Sequence, residues 1–187
     1  TGTGTDYVIV GKPWHAAAMT SPFYQYGVEY SNGYNKTLDF FFGDASADLH
    51  GPYRMSPATG SWTHVAFTYD GSVVKGYMDG AERLSEADES SLVPRGNSLR
   101  LGVDGAYQQF FDGSLDDLRI YSRALTAAEI RSVMQSPVGE PVTGVSETGP
   151  AAGASAVEFL APNPTGGNVS VAYRLARGGE EIGRAHV

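Results

Sequence analysis

Carboxylates are the first side chains to weigh for chemistry here, since 21 Asp and Glu face only 13 Lys and Arg across 187 residues. Retaining glycoside hydrolysis needs two carboxyl groups about 5–5.5 Å apart across the scissile bond. A strand with acids at alternate positions presents such a pair on one face. Glu86-Ala87-Asp88-Glu89-Ser90 approaches that pattern, but Ser90 stands where an E-x-D-x-E run would have its third acid. The segment also sits between a hairpin and Pro94, which places it on a loop. No G-x-S-x-G, no H-E-x-x-H and no phosphate-cradling glycine loop occurs in the chain. The four histidines, His15, His50, His64 and His186, are scattered without metal-ligand spacing. His64 reads as a packed strand residue. The expectation is therefore no enzyme and no catalytic residue.

Binding chemistry has better candidates. A sugar's apolar face packs on an exposed ring while neighbouring polar groups take its hydroxyls. Trp14 and Tyr53 lie in Pro-flanked loops, Lys12-Pro13-Trp14 and Gly51-Pro52-Tyr53, and Tyr107 is a third candidate. Tyr24 and Tyr26 alternate along a strand and read as sheet residues. The partners expected are a glycan or an extracellular protein. A net charge of -8 and a pI near 4.9 argue against nucleic acid, whose phosphates require a basic surface. The same charge suits a secreted protein and is compatible with cation binding. Cys is absent, so no disulfide and no thiolate metal site exists. No apolar run approaches the roughly 20 residues of a membrane span.

The elements that must position these residues read as strands. Tyr7–Val10, Tyr24–Tyr30, Thr37–Gly43, Trp62–Tyr69, Val73–Met78, Ser98–Val103, Gln108–Asp112 and Ser114–Tyr121 carry β-branched and aromatic residues with turn signals between them. Asp70-Gly71 and Asp79-Gly80 mark hairpin turns, because tight turns need positive φ. Trp62, Val65, Phe67, Leu101, Leu115, Leu118 and Ile120 are the expected core. Trp62 differs in parity from Val65, so it is expected at a strand end or against a loop. One helix is predicted over Thr126–Gln135: Thr126 and Glu129 form a capping box, and Ile130, Val133 and Met134 supply an apolar stripe. So short a helix must dock on the strands to persist.

The run W-T-H-V-A-F-T-Y-D-G, G-Y-M-D-G, L-R-L-G-V and F-D-G-S-L-D-D-L-R-I-Y-S-R-A-L-T-A-A-E-I resembles the concanavalin A-like jelly roll of the laminin G-like superfamily, in its bacterial form. The resemblance implies an all-β, two-sheet antiparallel sandwich with one short helix over residues 1–135. It implies a non-catalytic binding module of a secreted or cell-surface bacterial multidomain protein. A structural spacer without a ligand, or an accessory module of a polysaccharide-degrading enzyme, are the alternatives. It also implies one Ca2+ held in part by Asp116, from the G-S-L-D-D-L-R-I-Y segment. The family carries further strands before Ile9, and one of them pairs beside Leu115–Tyr121, so an open edge is expected there. Residues 136–155, rich in Pro, Gly, Ser and Thr, read as a linker. Residues 156–180 resemble the first strands of a FlgD-like Ig or secretion-sorting module. Glu181–Val187, read back into codons, resembles a sequencing-library adapter and is set aside.

Overall fold

A computed structural model describes residues 6–15, 22–33, 36–93, 95–103 and 110–136, and the backbone of Val169–Ala176. Tyr107, most of the 136–155 linker, residues 156–168 and residues 181–187 lie outside the described residues.

Among the described residues, ten strands and one helix follow in chain order. β1 is Asp6–Pro13, β2 Tyr24–Ser31, β3 Thr37–Gly43, β4 Leu49–Met55 and β5 Thr63–Tyr69. β6 is Val73–Met78, β7 Ala81–Ala87, β8 Arg100–Leu101, β9 Ser114–Tyr121, α1 Ala127–Gln135 and β10 Val169–Ala176. Two five-stranded antiparallel sheets result, ordered β4-β3-β2-β1-β8 and β7-β6-β5-β10-β9. β4 and β7 are absent from the sequence expectation. β4 carries Gly51-Pro52 in its middle, and β7 is exposed at six of seven positions, so neither shows an alternating apolar signal.

The core lies between the sheets. β5 sends Val65, Phe67 and Tyr69 into it, all at 0% exposure, while Ala66 and Thr68 are buried on the opposite face. Phe67 stacks on Phe40 of β3 at 5.1 Å between ring centroids, and Tyr69 stacks on Phe42 at 4.6 Å. These two stacks bridge the sheets. On the outer face Ala66 and Tyr77 join Leu125, Ile130 and Val133, which is how α1 docks. The capping box forms as the sequence predicts, with Thr126 accepting from Glu129 N and Glu129 accepting from Thr126 N. The Asp79-Gly80 turn has φ of 50° and 73°, and Asp79 Oδ1 accepts from His64 N at 3.0 Å. His64 is buried on its strand.

Two core expectations fail. Trp62 is 51% exposed because it precedes β5 and has no ladder partner to hold its ring over the sheet. Leu101 is 42% exposed because β8 is a two-residue edge strand. Leu115 and Leu118 differ in parity, yet both pack against the core as partly buried residues. Asp117, at φ 52°, resolves this: the β9–β10 register shifts there, and such a bulge resets the alternation. The open edge expected beside β9 is filled on one side by β10, which lies between β5 and β9.

Arg123 donates to Glu129 at 2.6 and 3.0 Å. Together with the capping amide this holds the Glu129 carboxyl at about 2, against an ordinary 4.5. A depressed carboxylate adds stability above its unfolded value and loses it as pH falls toward the folded one. The melting midpoint should thus fall between pH 4.5 and about 2, and Glu129→Gln should flatten that slope, as thermal scans across this window will read. Truncating Phe67 to Ala should cost roughly 3–5 kcal/mol in denaturant unfolding, whereas Trp62→Ala should cost under about 1 kcal/mol.

Candidate functional site

Residues 88–93 leave β7 at the edge of one sheet and lie against the end of the other, and residues 95–99 lead into β8. Both stretches are fastened. Asp88 N donates to Ser72 O at 2.8 Å, and the Asp88 carboxylate accepts from Ser90 N and from the Tyr53 hydroxyl. The Tyr69 hydroxyl donates to Asp88 O at 3.1 Å and to Ser90 O. Leu92 bridges to Asp44, Arg95 N donates to Gln25 Oε1, and Arg95 lies 4.2 Å over the Trp14 ring. Asn97 Nδ2 donates to Pro13 O at 3.0 Å and to Trp14 O at 2.9 Å. The sequence Leu92-Val93-Pro94-Arg95-Gly96 gave no hint that this loop is a strap.

Under the strap's start sits a polar cluster that the sequence did not reveal, since its members are scattered along the chain. His50 Nδ1 lies 3.1 Å from Asp88 Oδ2 and 3.1 Å from Ser90 Oγ, and its Nε2 lies 3.2 Å from Asp44 Oδ2. The Nε2 contact lacks hydrogen-bond alignment. The ring stacks on Phe42 at 5.2 Å. Asp44 also accepts from Asp48 N and Ser46 N, and the Asp48 amide leads in holding its carboxyl below the usual range. Burial pushes Asp88 up, but hydrogen bonds from Ser90 and Tyr53 outweigh it and the carboxyl ends lowered. Burial, then the hydrogen bond to Asp88, pushes the Tyr53 phenol up, and burial raises Tyr69 to about 12. Ser90, His50 and Asp44 bear the residue types of a hydrolytic triad. Their geometry differs from one: Ser90 and Asp88 share one ring nitrogen, and both carboxylates serve loop amides or phenols.

The exposed rings expected at Trp14 and Tyr53 are not found. Trp14 is 5% exposed and Tyr53 6%. Arg95 covers one Trp14 face, and Gly43 packs so closely on the ring that a Cβ there would sit 2.8 Å from it. Tyr53 stacks near Phe42 and Phe40 in the core. Tyr24 and Tyr26 are buried, in line with sheet residues. What the structure exposes instead is the β8 edge. A cleft of about 180 Å³ is lined by Pro13, Gly96, Asn97, Ser98 and Arg100. Beside it Leu101 is exposed, as is Phe110, which bridges to Val103 two positions along.

Asp116 is exposed on β9, and its Oδ1 accepts from Asp117 N at 2.9 Å. Among the described residues no three acids or histidines converge to hold a metal. Calcium takes six to eight oxygens, so at Asp116 backbone carbonyls and waters would have to complete the shell.

A laminin G family model described as the Concanavalin A-like lectin/glucanases superfamily matches residues 5–131. The chain is 34% identical over 82 residues to Pappalysin-1 of Mus musculus, covering 41% of this chain and 5% of that protein. It is 25% identical over 89 residues to Adhesion G-protein coupled receptor V1 of Danio rerio, covering 46% of this chain and 1% of the receptor. The chain thus spans at most 5% of the length of these relatives. No solved structure matches.

With only two tryptophans in the chain, the burial of Trp14 is directly readable. Iodide should quench Trp62 alone in the wild type. Arg95→Ala should uncover Trp14 and add a second quenchable fraction, with the fold retained by circular dichroism.

Proposed function

The chain belongs to the concanavalin A-like lectin/glucanases superfamily, and from that premise we propose that it is a non-catalytic binding module of a secreted or cell-surface bacterial multidomain protein, with a glycan or an extracellular protein as its ligand. The observation that carries this reading is the β8 edge. There Asn97, Ser98 and Arg100 line a cleft, and Leu101, the next residue of β8, is exposed. Polar groups that take hydroxyls or carbonyls, set next to apolar surface, are what a sugar ring or a peptide needs. Arg100 supplies a planar fork of donors suited to either.

The absence of catalysis is part of the proposal. Asp88, the second acid of the Glu86-Asp88 pair, is tied to Ser90, Tyr53 and His50. A carboxylate so engaged holds a loop and is poorly placed to attack an anomeric carbon. Localisation outside the cell agrees with the names of the relatives, one of them an adhesion receptor. Among the described residues no helix is long and apolar enough to cross a membrane.

Immobilised glycans and a panel of extracellular matrix proteins test the reading. Saturable binding to one class is expected, and Arg100→Ala or Leu101→Asp should weaken it at least about tenfold, near 1.4 kcal/mol. Equal binding by variants and wild type would remove the β8 edge. Binding to neither panel would favour a ligand-free spacer. Reducing sugar released from laminarin, agarose or xylan above a buffer blank would overturn the non-catalytic assignment. Calcium belongs to the same experiment. A few millimolar should raise the melting midpoint if the folded state alone binds it, and the same shift in Asp116→Ala would take that residue out of the site.

A further inference from the structure

The sheet β7-β6-β5-β10-β9, sheet two below, contains a strand from outside the region that defines the family. The family match ends at residue 131, yet β10, Val169–Ala176, lies inside the sheet between β5 and β9. Its register runs from Val169 opposite Tyr69 to Leu175 opposite Thr63 on β5, and from Ser170 opposite Tyr121 to Ala176 opposite Ser114 on β9. Take β10 away and both neighbours face an open groove. That groove cannot stay empty at low cost, because it would leave β5, an inner strand of the sheet, without a ladder partner on that side from Thr63 to Tyr69. Backbone N–H and C=O groups left without partners there are expensive, so some strand must fill the position.

The strand that fills it is far from the rest of the sandwich in sequence. Residues 136–168 separate the end of α1 from β10, and at roughly 3.3–3.6 Å per residue fully stretched chain of that length reaches on the order of 100 Å. Strong neighbours of β10 are β5 and β9, and these contacts are ladder pairings that a strand of the same sequence makes equally well from another chain. The sequence V-S-V-A-Y-R-L-A alternates apolar with small or polar residues, the two-residue period of a strand. Main-chain pairing to a groove between two strands is also the physics of strand addition in peptide recognition.

We propose that the groove between β5 and β9 is a strand-accepting site, and that it takes residues 169–176 of a second copy of this chain in exchange for its own. A tethered strand competes with an effective concentration in the millimolar range at most, falling with tether length. Exchange between copies therefore becomes visible as protein concentration approaches that range. The exchange is reciprocal and closed, as in domain swapping, so it gives a discrete dimer.

The natural chain has no cysteine, which makes the register testable by a single disulfide. Thr68 pairs with Ser170 across the β5–β10 ladder, and directly opposed antiparallel residues lie within disulfide range. The double variant Thr68→Cys/Ser170→Cys should close an intrachain disulfide in dilute solution; failure to close it would overturn the register. Thr68→Cys and Ser170→Cys chains, unfolded together and refolded near millimolar concentration, should form an interchain disulfide. The yield should exceed that of Thr68→Cys with Ala176→Cys, which pairs with Ser114 instead, by about tenfold, and should fall on hundredfold dilution. Equal yields from matched and mismatched pairs would overturn the proposal. A cysteine-free measurement guards against misfolded variants: ¹⁵N-labelled and unlabelled wild-type chains refolded together should give a mixed-mass dimer by native mass spectrometry. Monomer alone at the same concentration would sink the exchange.

Discussion

Ring stacking between the two sheets is the constraint on which the rest of the structure depends. Phe40 against Phe67 and Phe42 against Tyr69 join β3 to β5 across the core. Each ring is at or below 1% exposure. Aromatic pairs of this kind bury large areas and add geometric preference beyond area alone. They fix the phase of both strands, because a slip of one residue would turn every ring outward. With that phase set, His64, Ala66 and Thr68 face the other way, and Ala66 meets the helix.

The stacks also organise the end of the sandwich where the strap begins. Tyr69 stacks on Phe42 and sends its hydroxyl to the carbonyls of Asp88 and Ser90. Tyr53 sends its own to the Asp88 carboxylate. The strap is thus anchored by the polar tips of core rings, an arrangement that suits tyrosine and is closed to phenylalanine. His50, held between Asp44 and Asp88, locks the β3–β4 turn to the same anchor. Farther along, Arg95 and Asn97 seal Trp14 and bring Arg100 to its place beside β1. The proposed binding edge therefore inherits its geometry from core packing at the opposite side of the sheet.

Sheet two shows how weakly chain order constrains a β-sandwich. β10 is last in sequence and sits beside β5 near the sheet's middle. Backbone ladders recognise extended chain and tolerate many side chains, so a strand can be supplied from far away in sequence. The outer cover from α1 packs on β5 and β6 residues, and β10 joins the sheet through its ladders to β5 and β9.

Several features were legible in the residues themselves. The Asp79-Gly80 turn, the Thr126–Glu129 capping box, the Phe67 and Val65 core face and the packed His64 follow from local chemistry: positive φ, orphan amides and the two-residue strand period. The two-sheet antiparallel fold followed from the family resemblance and is what the structure shows. Tertiary structure alone decided where Trp14 and Tyr53 would go, because burial depends on what crosses above a residue, and the strap that covers Trp14 lies some eighty positions away in sequence. It decided the phase of Leu115 and Leu118 through the positive φ of Asp117, at a residue where sequence gives no warning of a bulge. It assembled Asp44 from the turn after β3, His50 from β4, and Asp88 and Ser90 from the strap. And it placed Val169–Ala176 between β5 and β9, since a strand's own sequence states that it will pair and leaves its partners to the topology of the whole sheet.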